Sequence, residues 1–116
     1  MKTRAWDGKH FRDDHFIDAN GYVYQSWCLN SGHFTLSRVD WKLSRFTKLR
    51  DNDNQMVWEY DIYEHLGFKF VVRFHNGTFV LMHINGNVAN QSIWVVRHLH
   101  KLGDIFTTPE LLEEVK

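Results

Sequence analysis

The sequence predicts an all-β protein: a compact small barrel or two packed antiparallel sheets, with a short C-terminal helix. Three observations support this. Aromatic residues make up 16% of the 116-residue chain, with nine Phe, five Trp and four Tyr, and such side chains favour a pleated, half-buried surface. Turn dipeptides recur at Asn20-Gly21, Ser31-Gly32, Asn76-Gly77 and Asn85-Gly86, where Asn and Gly tolerate the positive φ of hairpin turns. The single proline, Pro109, leaves the rest of the chain free to pair in sheets. Short strands between regular turns are the pattern of a meander, sandwich or small barrel.

In chain order, the Asn20-Gly21 turn predicts a hairpin with Ile17 opposite Tyr24 and Phe16 opposite Gln25. Trp41, Leu43 and Arg45 then alternate with Lys42, Ser44 and Phe46, so a strand closes near Thr47. Residues 48–55, "KLRDNDNQ", are the most polar stretch and read as an exposed loop. "FKFVVRFHNGTFVLMH", residues 68–83, gives the clearest hairpin. A two-residue loop at Asn76-Gly77 pairs His75 with Thr78, Phe74 with Phe79, Val72 with Leu81 and Phe70 with His83. Phe68, Phe70, Val72, Phe74, Phe79 and Leu81 then share one face, which is core. Val71, Val80 and Met82 share the other with Lys69, Arg73 and His75, and that mixed face needs a cover. Thr108 as N-cap, Pro109 at N1 and the acids of "ELLEEV" start a helix of one or two turns. Residues 1–116 make one β-rich domain, with an N-terminal meander over about 1–47 and a central loop and hairpin half over about 48–116.

Composition narrows the function classes. Hydrophobic content of 43% is that of a folded chain. Fourteen basic and fourteen acidic residues cancel, which counts against binding through non-specific phosphate contacts, since that needs a basic excess or stripe. One cysteine, Cys28, makes no internal disulfide, and no N-terminal signal is evident. No apolar run approaches the roughly 20 residues of a membrane span. The expected setting is the cytoplasm.

Four passages in order resemble the YopX family of phage and prophage proteins. They are "RAWD" at residues 4–7, "LRDNDNQMVWEYDIY" at 49–63, "FVVRFHNGTFVL" at 70–81 and "LGDIFTTPELLEE" at 102–114. The chain departs from the family pattern twice. Tyr60 stands where the family usually has Gly between Glu and Asp, and Asp53-Asn54 stands at its usual Asn-Gly turn. Asn and Asp accept a left-handed conformation, so that turn is expected to survive. At Tyr60, either the backbone needs no positive φ or a ring fits where Gly was packed. The resemblance implies a β-rich fold, self-association and a phage or prophage setting. It carries no catalytic residues.

Candidate chemistry is sparse. Glu59 and Asp61 lie one residue apart and on a strand face one way, as paired carboxylates in hydrolases do. The favoured reading is structural, with the acids bonding turn N–H groups at the opening of a strand. His98 and His100 form an H-x-H pair that on a strand points two imidazoles to one side. Zinc needs three or four ligands, and nothing in the sequence brings a third from Cys28, His75, His83 or Asp104. His83, on the core face, reads as a hydrogen-bonded ring at a sheet end. Cys28 in "SWCLN" has no adjacent base and reads as a buried, inert thiol. There is no phosphate-binding loop, dinucleotide-binding glycine set or nucleophile elbow, so no cofactor is implied.

The expectation is a non-enzymatic, phage- or prophage-encoded interaction protein, working as a homo-oligomer and binding a host or phage protein. Its interface would use Val71, Arg73, Val80 and Met82. The first alternative is a β-barrel binding single-stranded nucleic acid through Trp41, Arg45, Lys48, Arg50 and Trp58, with Tyr22, Tyr24, Trp27 and Trp94 as further rings. The competing role for these rings is core, where each buries on the order of 150–250 Å². The second alternative is a metal-dependent hydrolase built on His98, His100 and carboxylates.

Overall fold

The structure, a computed structural model, describes residues 2–28 and 34–113, with the side chains of 26–28 and 34–35 outside the description. The chain divides into two compact units, Met1–Ser44 and Arg45–Lys116. Every resolved strand pairing within them is antiparallel.

In the first unit, strand β1 (Thr3–Trp6) pairs with β2 (Phe11–Arg12). Asp7 holds the turn between them, its Oδ1 accepting the Lys9 and His10 N–H groups, each at 2.7 Å. Strands β3 (His15–Ile17), β4 (Val23–Cys28) and β5 (Phe34–Val39) follow as a three-stranded meander. The Asn20-Gly21 hairpin forms, but its register differs by one residue from the sequence expectation. Phe16 pairs with Tyr24, Ile17 with Val23 and His15 with Gln25. The cause is Asp18: its N–H donates to the Tyr22 carbonyl at 3.1 Å, while its Oδ1 accepts the N–H groups of Asn20 and Tyr22 at 2.9 Å. That closes a three-residue loop, with Gly21 at φ +85°, in place of a two-residue one. A one-residue slip moves every side chain to the opposite face. The Ser31-Gly32 turn lies outside the described residues.

Strand β6 (Lys42–Arg50) leads into the second unit and pairs there with β7 (Met56–Trp58), Phe46 opposite Trp58 and Arg50 opposite Met56. The strand does not stop at Thr47. A bulge with Lys48 at φ +69° restores pairing at Arg50, so the expected loop over 48–55 shrinks to a turn. Asn54 takes φ +61° there, so this turn keeps its left-handed residue. Strands β8 (Asp61–His65), β9 (Phe68–His75), β10 (Thr78–His83), β11 (Gln91–Ser92) and β12 (Lys101–Asp104) form an open sheet in the order β11-β10-β9-β8-β12. The all-β expectation holds in open-sheet form; among the described residues there is no closed barrel.

The β9–β10 hairpin has the register read from the sequence at every pair, with Asn76 at φ +51° and Gly77 at +83° as a two-residue turn of that hand requires. Tyr63, Phe70, Val72 and Leu81 pack from this sheet against Val57 and against Ile93 and Val96 of a 3-10 helix, Ile93–His98. The expected core face therefore holds at its centre and opens at its ends, where Phe68 and Phe74 are exposed. A second 3-10 turn, Pro109–Leu112, is the short C-terminal helix. Thr108 occupies its cap position without capping; the hydroxyl donates to the Asp104 carbonyl at 2.9 Å. Among the described residues no helix is long and apolar enough to cross a membrane.

Candidate functional site

The mixed face of the β9–β10 hairpin is partly covered by its own chain. Ile62, Val71 and Met82 form one cross-strand row, and Gly103 pairs with Ile62, so a side chain at 103 would point to that same face. A Cβ built there would collide with the Thr108 hydroxyl and come within 2.9 Å of Leu111. The C-terminal turn thus lies on this face at its β12 end, and only glycine allows the approach. Of the four expected interface residues, Val71 is buried, Val80 and Met82 are half-buried, and Arg73 is exposed. The Arg73 guanidinium sits 5.3 Å from the centroid of the Tyr60 ring.

A second apolar exposure lies on one sheet face of the first unit. With the observed register, Phe16, Tyr24 and Arg38 form one row across β3, β4 and β5. Leu36 lies two residues along β5 on the same face. Phe16 is 53% and Leu36 55% exposed, while Val23 and Gln25 on the opposite face are buried. The Arg38 guanidinium stacks 3.6 Å from the Tyr22 ring centroid, at a cleft of about 510 Å³ lined also by Val39, Asp40 and Trp41. The sequence reading missed this face because the two-residue loop assigned to Asn20-Gly21 paired Phe16 with Gln25.

The acidic pair is structural, and its partners are specific. Glu59 accepts from Arg45 Nε and Nη2, both at 3.0 Å. Asp61 Oδ2 accepts the Trp58 N–H at 2.8 Å and lies 2.9 Å from Lys101 Nζ. The residue between them, Tyr60, has φ +75°, so the backbone does keep a left-handed residue where Tyr replaces Gly. Its N–H donates to Val72 at 2.7 Å, its carbonyl accepts from Ile105 at 3.1 Å, and its ring meets Phe106 edge-on at 5.5 Å. A bulky residue in this region is an outlier, held here by both backbone bonds and by the ring.

The residues expected for single-strand binding separate by environment. Trp58 is buried against Phe46 at 5.4 Å, and Arg45, paired with Glu59, also stacks 4.2 Å from the Phe74 ring; neither presents a free face. Trp41 is half-buried, with the Arg12 guanidinium 4.9 Å from its ring. Lys48 and Arg50 are exposed and line one cleft of about 500 Å³ with Leu49, Asp51, Asn52, Asn54 and Arg97. Trp94 is 60% exposed; Trp27 lies outside the described side chains.

Of the expected metal candidates, the H-x-H pair is not on a strand: His98 ends the 3-10 helix, and His100 Nδ1 lies 2.9 Å from Asp53. Among the described residues no three His, Cys, Asp or Glu side chains converge. His83 is buried at the sheet end, accepting the Asn87 N–H at Nδ1 (3.3 Å). The Cys28 side chain lies outside the description. Asp51 anchors its turn from inside, with Oδ1 accepting the Asp53 and Gln55 N–H groups and Oδ2 the Tyr63 hydroxyl at 2.9 Å. Burial, with the nearby Asp61 and Asp51 carboxylates, pushes the Tyr63 phenol far above its ordinary range.

These features define an open-sheet β protein with internally anchored acids and exposed apolar side chains. The family profile described as YopX protein matches residues 2–113, and the chain belongs to the YopX family. Two solved structures share its fold. Protein yopX from Bacillus subtilis is 22% identical, with a TM-score of 0.60 over 98% of this chain and 97% of that one. Protein EF1440 from Enterococcus faecalis is 19% identical, with a TM-score of 0.62 over 97% of each chain. No curated protein matches this chain.

Proposed function

We propose that this YopX-family chain is a non-enzymatic interaction protein of a phage or prophage. It works in the host cytoplasm as a homo-oligomer and engages a host or phage protein. The observation that carries the reading is the outer face of β3–β5, where Phe16 and Leu36 stand more than half exposed beside Tyr22 and Arg38. Large exposed apolar patches mark interaction surfaces, and aromatic and Arg side chains dominate binding energy at such surfaces. Arg73, Val80 and Met82 supply a smaller accessible patch on the second unit.

The test is the mass in solution by light scattering, from sub-micromolar to tens of micromolar. The expected result is a concentration-dependent oligomer that the double substitution Phe16→Ser, Leu36→Ser returns to monomer. Circular dichroism checks that the variant stays folded. A wild-type chain that remains monomeric across the range overturns the self-association reading. An oligomer unaffected by the double substitution moves the interface off this face.

A further inference from the structure

We propose that the cleft between the end of β6, the 51–55 turn and the end of the first 3-10 helix binds the phosphate group of a phosphorylated ligand. Three cations, Lys48, Arg50 and Arg97, line its wall of about 500 Å³, a volume within the usual range of ligand clefts. All three are exposed, and among the described residues none is ion-paired with a carboxylate. The one acid on that wall, Asp51, is buried, and both its oxygens already accept internal donors. Its charge offsets one of the three, so the lining keeps an excess of two positive charges.

Two features show how the cations are placed. Lys48 is the bulged residue of β6, held at φ +69°. A bulge re-aims a side chain, and glycine would occupy that conformation with less strain, so a lysine there is the costlier choice for folding alone. Strain of this kind is concentrated at functional sites. Arg50 Nη1 donates to the Asn54 carbonyl at 2.9 Å, which fixes the guanidinium while its other N–H groups have no acceptor among the described residues. A planar fork held in this way suits a phosphate oxygen pair. No aromatic ring lines the cleft, so the site recognises charge and leaves a base or sugar unread.

Isothermal titration of the full chain tests this with two probes, sodium tripolyphosphate and a 5′-phosphorylated oligothymidylate, each at low and moderate salt. Saturable one-to-one binding of tripolyphosphate is expected, weakened roughly tenfold by Arg97→Gln and again by Lys48→Gln, as for lost charge-assisted bonds. If the oligonucleotide binds more tightly, with a log–log salt slope near about −2 for three contacts, the phosphate comes from a nucleic-acid backbone. If only tripolyphosphate binds, it comes from a small ligand. Lys48→Gly separates this role from a structural one: it should weaken binding while raising the thermal midpoint. The proposal is overturned if neither probe binds at millimolar concentration, or if binding survives Lys48→Gly and Arg97→Gln unchanged.

Discussion

The two units dispose the same aromatic-rich composition differently. The second gathers Tyr63 and Phe70 around Val57, Val72 and Leu81, with a 3-10 helix laid on the sheet, and exposes Phe68, Phe74 and Trp94 outside that core. The first leaves Phe16, Ile17, Tyr22 and Leu36 exposed. The same contrast appears in the backbone. Among the described residues, positive φ in the first unit falls only on Gly8 and Gly21, whereas the second holds Lys48, Asn54, Tyr60, Leu66 and Asn76 there. Leu66 and Asn76 each open a two-residue hairpin turn whose hand requires positive φ, and Lys48 lies in the β6 bulge. Tyr60 differs, being held by backbone bonds to Val72 and Ile105.

The largest test of this contrast is a pair of truncations. Phe70→Ala, in the closed core, should cost about 3–5 kcal/mol. Phe16→Ala, on the open face, should cost less than about 0.5 kcal/mol. Both are read as shifts in the urea midpoint at constant slope, in solution dilute enough to keep the chain monomeric. Comparable losses for the two would mean that Phe16 is packed, and the open-face description would fail.

The same contrast marks how far the sequence could be read. The hairpin at 68–83 was legible pair by pair, because an Asn-Gly loop of two residues and strict alternation leave one register. Its sister dipeptide Asn20-Gly21 was misread, because the Asp18 side chain recruits an extra residue into the loop, a tertiary detail that dipeptide identity does not carry. The turn N–H bond expected of Asp61 is made, to Trp58, whereas Glu59 accepts instead from Arg45, and the cationic partners Arg45 and Lys101 are distant in sequence. Lys48 and Arg50 stood out as charged neighbours, whereas Arg97 joins their cleft only through the fold. Residues 93–98, "IWVVRH", form an apolar run too short for periodicity to separate a strand from a 3-10 helix.

A smaller effect is expected at Tyr60, where the second unit tolerates a left-handed bulky residue. Tyr60→Gly relieves the backbone but loses the ring contacts with Phe106 and Arg73. Tyr60→Ala loses the same contacts and keeps the strain. Glycine should therefore be the more stable of the two variants by about 1 kcal/mol, with the wild type above the alanine variant. Equal urea midpoints for glycine and alanine would show that the left-handed conformation is lost once the ring is gone, so that the ring, and not the surrounding backbone bonds, enforces it.

The smallest effect is a pH dependence in the first unit, whose turns are held by carboxylates. The His10 and Lys9 N–H groups, with a lesser contribution from Arg12, hold the Asp7 carboxyl below its ordinary value of 3.8. Hydrogen bonds and charge from Arg12 lower Asp14 in the same direction. A depressed folded-state value means that the stabilisation is present above pH 3.8 and is lost as pH falls through the folded value. The urea midpoint of the wild type should therefore decline as the pH is lowered below about 4. Asp7→Asn cannot titrate and gives up the charge-assisted bonds, so it should be less stable than wild type at pH 5, with the gap closing toward pH 3. A gap that stays constant over that range would mean that the Asp7 carboxylate contributes its geometry and not its charge.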